Sequence, residues 1–562
     1  MAAGLEAELL NLLAVFMIAG GVGVLVAKIG RMPYTIALLL AGLAASVLGV
    51  ELGIELTHDV ILLVLLPPLL FEGAATTDFE RFRRNLAPIL ALAVPGLLVS
   101  IVVLGYVGQV AFGFPLLVAL LFAAMILPTD PVSVLALFEE LGAPERLATL
   151  VEGESLINDG VGVVVFSALL ALVYESGADG TTTFSAGLVA EVGLGIVVAS
   201  LGGAAVGLAA GYAAYQVMCN LDEHMTEIVI TAILAYGSFL VAEHYLHVSG
   251  VIATVVAGLF IGNRGAEYAM SPQTKLSIFN AWETATFVVN TFIFVAIGAV
   301  TPVEQLVAHG RLIVIAIVLV VGVRALAVYP IVALVNRLRP VEVPIGYQHV
   351  MVWGGLHASI PIALVLGLET LPSGDPFPYR APLRAMVFGV AGFSLVVQGL
   401  TMGTLLDRLD IVTRSEEAEL YELLVGRARA VDSALEAAEE LRAAGQLSGS
   451  TYREFTAEYE REKADLAAAI QELLETYPDL RREEIRAGER QLLRREKAAI
   501  MDAAGTGVVA DDVAEHLREE VDLKLDRLGS GKSTVAADEE EFEEFWRSRA
   551  AELGIEAADI KE

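Results

Sequence analysis

Three carboxylates stand where carboxylates are expensive. Within the run from Leu150 to Phe166, Glu152, Glu154 and Asp159 open a segment apolar enough to cross a bilayer. A charged side chain at membrane depth is rare unless it handles ions or protons. On a helix Ser155 and Asp159 share one face, and Glu154 and Asn158 share the neighbouring one. A hydroxyl, a carboxamide and two carboxylates thus fall within about one turn. All are oxygen donors, the set a hard cation such as Na+ requires. The bland alternative for Asn158 and Asp159 is a polar pair at a helix end on the membrane surface. Apolar sequence upstream, through Leu147, Leu150 and Val151, weighs against it.

Other candidate groups cluster at two breaks. Leu127-Pro128-Thr129-Asp130-Pro131 carries two prolines, which remove helix donors and bias their predecessors away from helix. There the carbonyl or hydroxyl of Thr129 would reach a cation. Asp130 would balance helix-end dipoles or cap the following half-helix, a reading placed ahead of direct ligation. Trp353-Gly354-Gly355-Leu356-His357-Ala358-Ser359-Ile360-Pro361 is a weaker breaker. His357 within it titrates near neutrality, so it is either a pH sensor or a satisfied interior histidine, the second being favoured. Arg324 lies too deep in an apolar run to snorkel and needs a partner. Glu154 is the choice, as a structural pair rather than a transporting one. Glu72, closing Leu66-Pro67-Pro68-Leu69-Leu70-Phe71, is read either as part of an ion funnel or as a solvated interfacial residue.

The elements that must position these groups are membrane helices. The chain of 562 residues is 56% hydrophobic, which no ordinary soluble domain approaches. Up to residue 410 it carries about thirteen apolar runs, many of about 20 residues, the length that crosses a hydrocarbon core. The first run follows Glu6 and Glu8 with no basic leader or cleavage site, and reads as a retained span. Lys28, Arg31, Arg81, Arg83, Arg84, Arg146, Arg264, Lys275, Arg337 and Arg339 all fall on one side, with Arg380 and Arg384 as exceptions. The positive-inside rule makes that side cytoplasmic, with the amino terminus outside. The two breaks fall in the fifth and twelfth runs. That placement fits inverted repeats of spans 1–6 and 8–13 joined by span 7, with two crossing discontinuous helices.

Net charge is −32, and 38 of the 68 acidic residues lie from Ile411 onward. Such a surface argues against nucleic acid as a partner and against a polybasic lipid-binding tail. It suits solubility in a salty cytoplasm. Residues 411–562 read as an acidic helical tail, with Val431, Leu435, Ala438 and Leu441 at helical spacing and a turn near Gly445–Ser450. Gly529-Ser530-Gly531-Lys532-Ser533-Thr534 looks like a phosphate-binding loop. Asp526 stands where the first glycine belongs and no strand precedes it, so it reads as a flexible turn. The single Cys219 excludes an intrachain disulfide, and the histidines lack metal-ligand spacing.

Pro128 to Phe138, Leu141-Gly142-Ala143-Pro144 and Glu152-Gly153-Glu154-Ser155-Leu156-Ile157-Asn158-Asp159-Gly160 resemble the monovalent cation/proton antiporter-1 family, the NhaP-type sodium/proton antiporters related to the animal sodium/hydrogen exchangers. Leu66-Pro67-Pro68 with Phe71-Glu72, Arg324 and Trp353-Gly354-Gly355-Leu356 also fit. The resemblance covers most of residues 1–410. It implies a homodimer in the cell membrane. Each protomer would have a core (spans 4–6 and 11–13) moving against a dimerisation domain (spans 1–3 and 7–10), with a cytoplasmic regulatory tail. It implies that Asp159 binds either Na+ or H+, with Thr129 and Ser155 as co-ligands. Asn158 would mark the electroneutral branch, and Glu154 with Arg324 would be the stabilising pair. The family's usual Arg or Lys after Gly-Gly-Leu is replaced here by His357.

The expected mechanism is competition at one buried carboxylate, one H+ exchanging for one Na+, with no cofactor. It would serve pH homeostasis and salt tolerance. K+/H+ exchange at the same site is the alternative within transport, since oxygen ligands alone do not select Na+. A gated cation channel or a sensor signalling through the tail is the alternative outside it. An enzyme is least favoured, because no nucleophile–base pairing stands out.

Overall fold

A computed structural model describes residues 2–29, 33–48, 56–130, 134–135, 138, 142–176, 186–221, 223–338, 342–368, 376–409, 411, 416–505, 508–510, 513–515, 517–518, 521 and 524–525. Pro131, Arg31, Arg339 and the Gly529–Thr534 segment lie outside them. Among the described residues the secondary structure is helical, without a strand. Contacts divide the chain into two units, Met1–Thr413 and Arg414–Glu562.

In the first unit the helices are α1 (Ala2–Ile29), α2 (Tyr34–Val47), α3 (Val60–Thr76), α4 (Leu86–Phe112), α5 (Leu116–Ile126), α6 (Glu145–Ser176), α7 (Ala186–Met218), α8 (His224–Tyr245), α9 (Gly250–Phe260), α10 (Pro272–Ala299), α11 (Gly310–Leu338), α12 (Ile345–Trp353), α13 (Ser359–Leu366) and α14 (Arg380–Arg408), with shorter pieces between them. Among the described residues seven helices, in α4, α6, α7, α8, α10, α11 and α14, are long and apolar enough to span a hydrocarbon core. Local signals set several starts. Ser249 caps α9 by accepting from the Ile252 N–H, and Ser271 caps α10 with Pro272 at the first helical position.

Packing falls into two groups. α2 runs along α10, and α3 and α7 run along α9, with α8 beside them. α4 packs on α5 and α11, α5 on α6, and α14 on α11 and α13. Between the groups α6 touches α9 and α3, while α13 reaches α3 and α10. α5 is buried along almost its whole length. A helix apolar all round belongs inside a helix bundle rather than at its lipid face.

The second unit contains α15 (Glu416–Ala443), α16 (Gly449–Thr476) and α17 (Pro478–Gly505). Gly445 adopts a left-handed conformation, φ 73°, just past the end of α15, and Ser448 caps α16. α15 and α16 lie side by side, with Arg427 bridging to Glu462 (2.6 Å) and Lys463 to Asp432 (2.5 Å). These exposed pairs add little stability. Val431 is buried against the neighbouring helices.

Candidate functional site

The two breaks meet. α5 ends at Ile126, and the chain is non-helical through Pro128, Thr129 and Asp130. α12 ends at Trp353, and residues 354–358 are unwound before α13. Broken helices expose backbone groups that hydrocarbon cannot satisfy. Here the breaks satisfy one another. The Asp130 N–H donates to the Leu356 carbonyl (2.8 Å), and His357 Nδ1 donates to the Pro128 carbonyl (3.1 Å). Neighbouring helices supply further partners. Arg324 Nε donates to Met351 O (3.0 Å) and Gln398 Nε2 to Trp353 O (2.9 Å). Ser394 Oγ accepts from the His357 N–H (3.0 Å). Ser394 and Gln398 belong to a π-helical turn of α14, whose extra residue turns both side chains toward the break.

Asp130 lies across the crossing, at the N-terminal end of α13. Its Oδ2 is 3.4 Å from Ser359 Oγ, which donates to it. A carboxylate at a helix N-terminus is favoured by the exposed N–H groups and the dipole. The residues directly after Asp130 in the chain lie outside the described ones.

Along α6, Glu154, Ser155, Asn158 and Asp159 are all buried. Asn158 Nδ2 donates to Thr129 Oγ1 (3.0 Å), Asn158 Oδ1 accepts from the Thr129 N–H (3.3 Å), and the Thr129 and Ser155 hydroxyls are 3.0 Å apart. Gly162, one helical turn on, has Pro128 pressed against its backbone where a Cβ would sit. α6 therefore seats the first break along its length. Arg324 grips Glu154 with two nitrogens, at 2.9 and 3.1 Å, in a bidentate pair shielded from solvent. A side chain at Gly355 would fall onto the Arg324 guanidinium, so the second break needs glycine there.

A cavity of about 290 Å3 opens beside the crossing. Asp159, Thr129, Asp130 and Glu72 line it. Glu152, Thr76, Thr286, Asn290 and Ser359 also line it, and among the described residues no Lys or Arg does. Four carboxylates in its lining favour cations over anions there. Further along α13, His58 Nδ1 donates to Ala363 O (3.2 Å).

Ser155 and Asn158 do not line this cavity. They stand behind Thr129 and hold it, so the structure does not place them as lining groups of the candidate cation site. Glu154 and Arg324 lie around a separate space of about 20 Å3, shared with Asn158 and Ser100. His357 sits buried in the crossing and outside the larger cavity, braced by Pro128 and Ser394. Sequence reasoning passed over Thr286 and Asn290 on α10. The usable signal was an Asn amid the apolar run Phe287-Val288-Val289-Asn290, with a Thr four residues earlier on the same helical face.

Residues 12–408 match the family described as sodium/hydrogen exchanger, transmembrane. The chain is 34% identical over 514 residues to the Na+/H+ antiporter NhaG of Bacillus atrophaeus, covering 89% of this chain and 94% of that one. It is 36% identical over 405 residues to the Na+/H+ antiporter ApNhaP of Aphanothece halophytica, covering 72% and 75% of the two chains. Its fold is similar to that of the sodium proton antiporter MjNhaP1 from Methanocaldococcus jannaschii, with a TM-score of 0.59 and 20% identity over 72% of this chain and 99% of the other. Both the residues matched and the helical architecture lead to one conclusion: the chain belongs to the transmembrane sodium/hydrogen exchanger family.

Proposed function

We propose that this chain is an electroneutral Na+/H+ antiporter that exchanges one cation for one proton at Asp159. The observation that carries the reading is Asp159 itself, a buried carboxylate beside a broken helix, in the wall of a cavity that no Lys or Arg lines among the described residues. A bare carboxylate carried through the protein interior is an uncompensated charge. Either a proton or a cation removes that cost, so only the neutralised site crosses, and the two ions exchange one for one. Asn158 on the same helix adds no second charge. Thr129, held by Ser155 and Asn158, offers oxygen to the cation. Asp130 compensates the α13 end.

Access alternates as one helix group moves against the other. The moving core is α4–α6 with α11–α14, and α1–α3 with α7–α10 form the dimerisation domain of a homodimer in the lipid bilayer. Each protomer crosses the membrane thirteen times, α12 and α13 together forming one crossing. The basic loop Arg81–Arg84 faces the cytoplasm, the amino terminus is outside, and the cavity admits ions from within. Residues 411–562 form a cytoplasmic regulatory tail.

The test is flux in proteoliposomes carrying a pH gradient, with Na+, Li+ or K+ added in turn and the membrane potential clamped or free. Na+ should collapse the gradient at a rate that ignores the potential. Flux that follows the potential would overturn one-for-one exchange. Flux with K+ alone would overturn sodium as the substrate, and no flux with any cation would overturn antiport.

A further inference from the structure

The cavity wall formed by α10 carries two neutral polar side chains, Thr286 and Asn290, that nothing in the helix itself requires. They are four residues apart and share one face. Both line the cavity that Asp159 lines. Threonines in the helices of this chain commonly return the hydroxyl to the carbonyl four residues back, as Thr76 does to Glu72, Thr149 to Glu145, Thr284 to Asn280 and Thr401 to Val397. Thr286 does not: its hydroxyl is buried and has no hydrogen-bond partner among the described residues. Thr291 shares that property but does not line the cavity. A buried hydroxyl left without a partner is costly, so a position that keeps one beside a water-sized space is suited to a ligand or its water. The Asn290 carboxamide adds a carbonyl oxygen one turn further along. α10 packs in the group of α2, α3 and α8, so these donors approach from a different wall than the α6 carboxylate.

We propose that Thr286 and Asn290 are cation-positioning residues, supplying oxygens that replace part of the water shell of the monovalent cation as it approaches Asp159. The proposal rests on the reading of Asp159 as the exchanging carboxylate. The cavity is wide enough for the cation to keep some water, so part of this contact is through water. Because the donors belong to the other helix group, they act on cation capture from the cavity side. Their loss should therefore appear in the cation KM and in ion preference more than in the maximal rate.

The experiment uses the full chain in proteoliposomes, with Na+ and Li+ as probes. Thr286→Val keeps the shape and removes the hydroxyl; Asn290→Leu removes the carboxamide; Thr286→Ser restores the hydroxyl. The expected result is an apparent KM for Na+ raised about threefold to tenfold in the Val and Leu variants, the size of one lost ordinary or water-bridged hydrogen bond. The Na+ to Li+ ratio should change, and Thr286→Ser should recover the low KM. Unchanged KM and ion ratio in both variants would overturn the proposal. A raised KM that Thr286→Ser fails to recover, or a loss that only tracks a lower melting temperature, would overturn it too. Asp159→Asn is run alongside. Exchange surviving in that variant defeats the underlying reading of Asp159, whereas a dead Asp159→Asn with wild-type KM in Thr286→Val and Asn290→Leu defeats this proposal alone.

Discussion

Asp159→Asn should reduce cation-driven proton flux to the level of protein-free liposomes while leaving a folded, monodisperse protein. The side chain is buried in the cavity wall, and Asn nearly matches Asp in volume. What changes is charge: an amide neither carries a proton for exchange nor neutralises Na+. Of the other carboxylates lining the cavity, Glu72 and Asp130 cannot substitute in this account. Asp130 is engaged at the start of α13, and Glu72 lies on the other helix group. Asp159 holds a proton in this account when no cation is bound, so a neutral amide replaces a neutral acid and the melting temperature should stay level. Proton flux at the wild-type rate from this variant would contradict the mechanism.

Glu154→Ala should be the most destabilising single change near the site, by about 3–5 kcal/mol, because it strands a buried guanidinium. Arg324 is only 11% exposed and has two nitrogens on Glu154. Its Nε is already committed to Met351 O at the end of α12, so the pair also ties α6 and α11 to the second break. Thermal unfolding of the purified variant should show the loss. The apparent Na+ affinity of the protein that remains folded should change little, since Glu154 does not line the larger cavity. A stable variant with lost Na+ affinity would reverse the assignment and make Glu154 a binding group.

Some of this arrangement is legible in the sequence because it follows from local rules. Prolines around Thr129 and glycines before Leu356 mark the breaks, since each removes a donor or relaxes the backbone whatever surrounds it. Asp159 and Arg324 stand out because a charge among apolar residues is costly anywhere in a membrane. The division of labour along α6 is not local. Ser155 shares a helical face with Asp159, yet its hydroxyl turns to Thr129, a preference set by where the first break is seated. The partners of the breaks are likewise tertiary: Ser394 and Gln398 reach them through a π-helical turn that hydropathy does not reveal. Thr286 and Asn290 escape notice because a neutral polar side chain inside a span carries no charge signal. Their spacing is a weak signal, and the cavity singles them out.

Proton release on cation binding tests the central claim most directly. Purified protein in weakly buffered solution near neutral pH is mixed with saturating Na+, with choline as the inert control, and the bulk pH is followed. Competition at one carboxylate predicts release of about one proton per protomer, because a ligand that must lose its proton to bind metal releases it on binding. Asp159→Asn should release none. No release from the wild type, or an equal release from Asp159→Asn, would contradict exchange at Asp159.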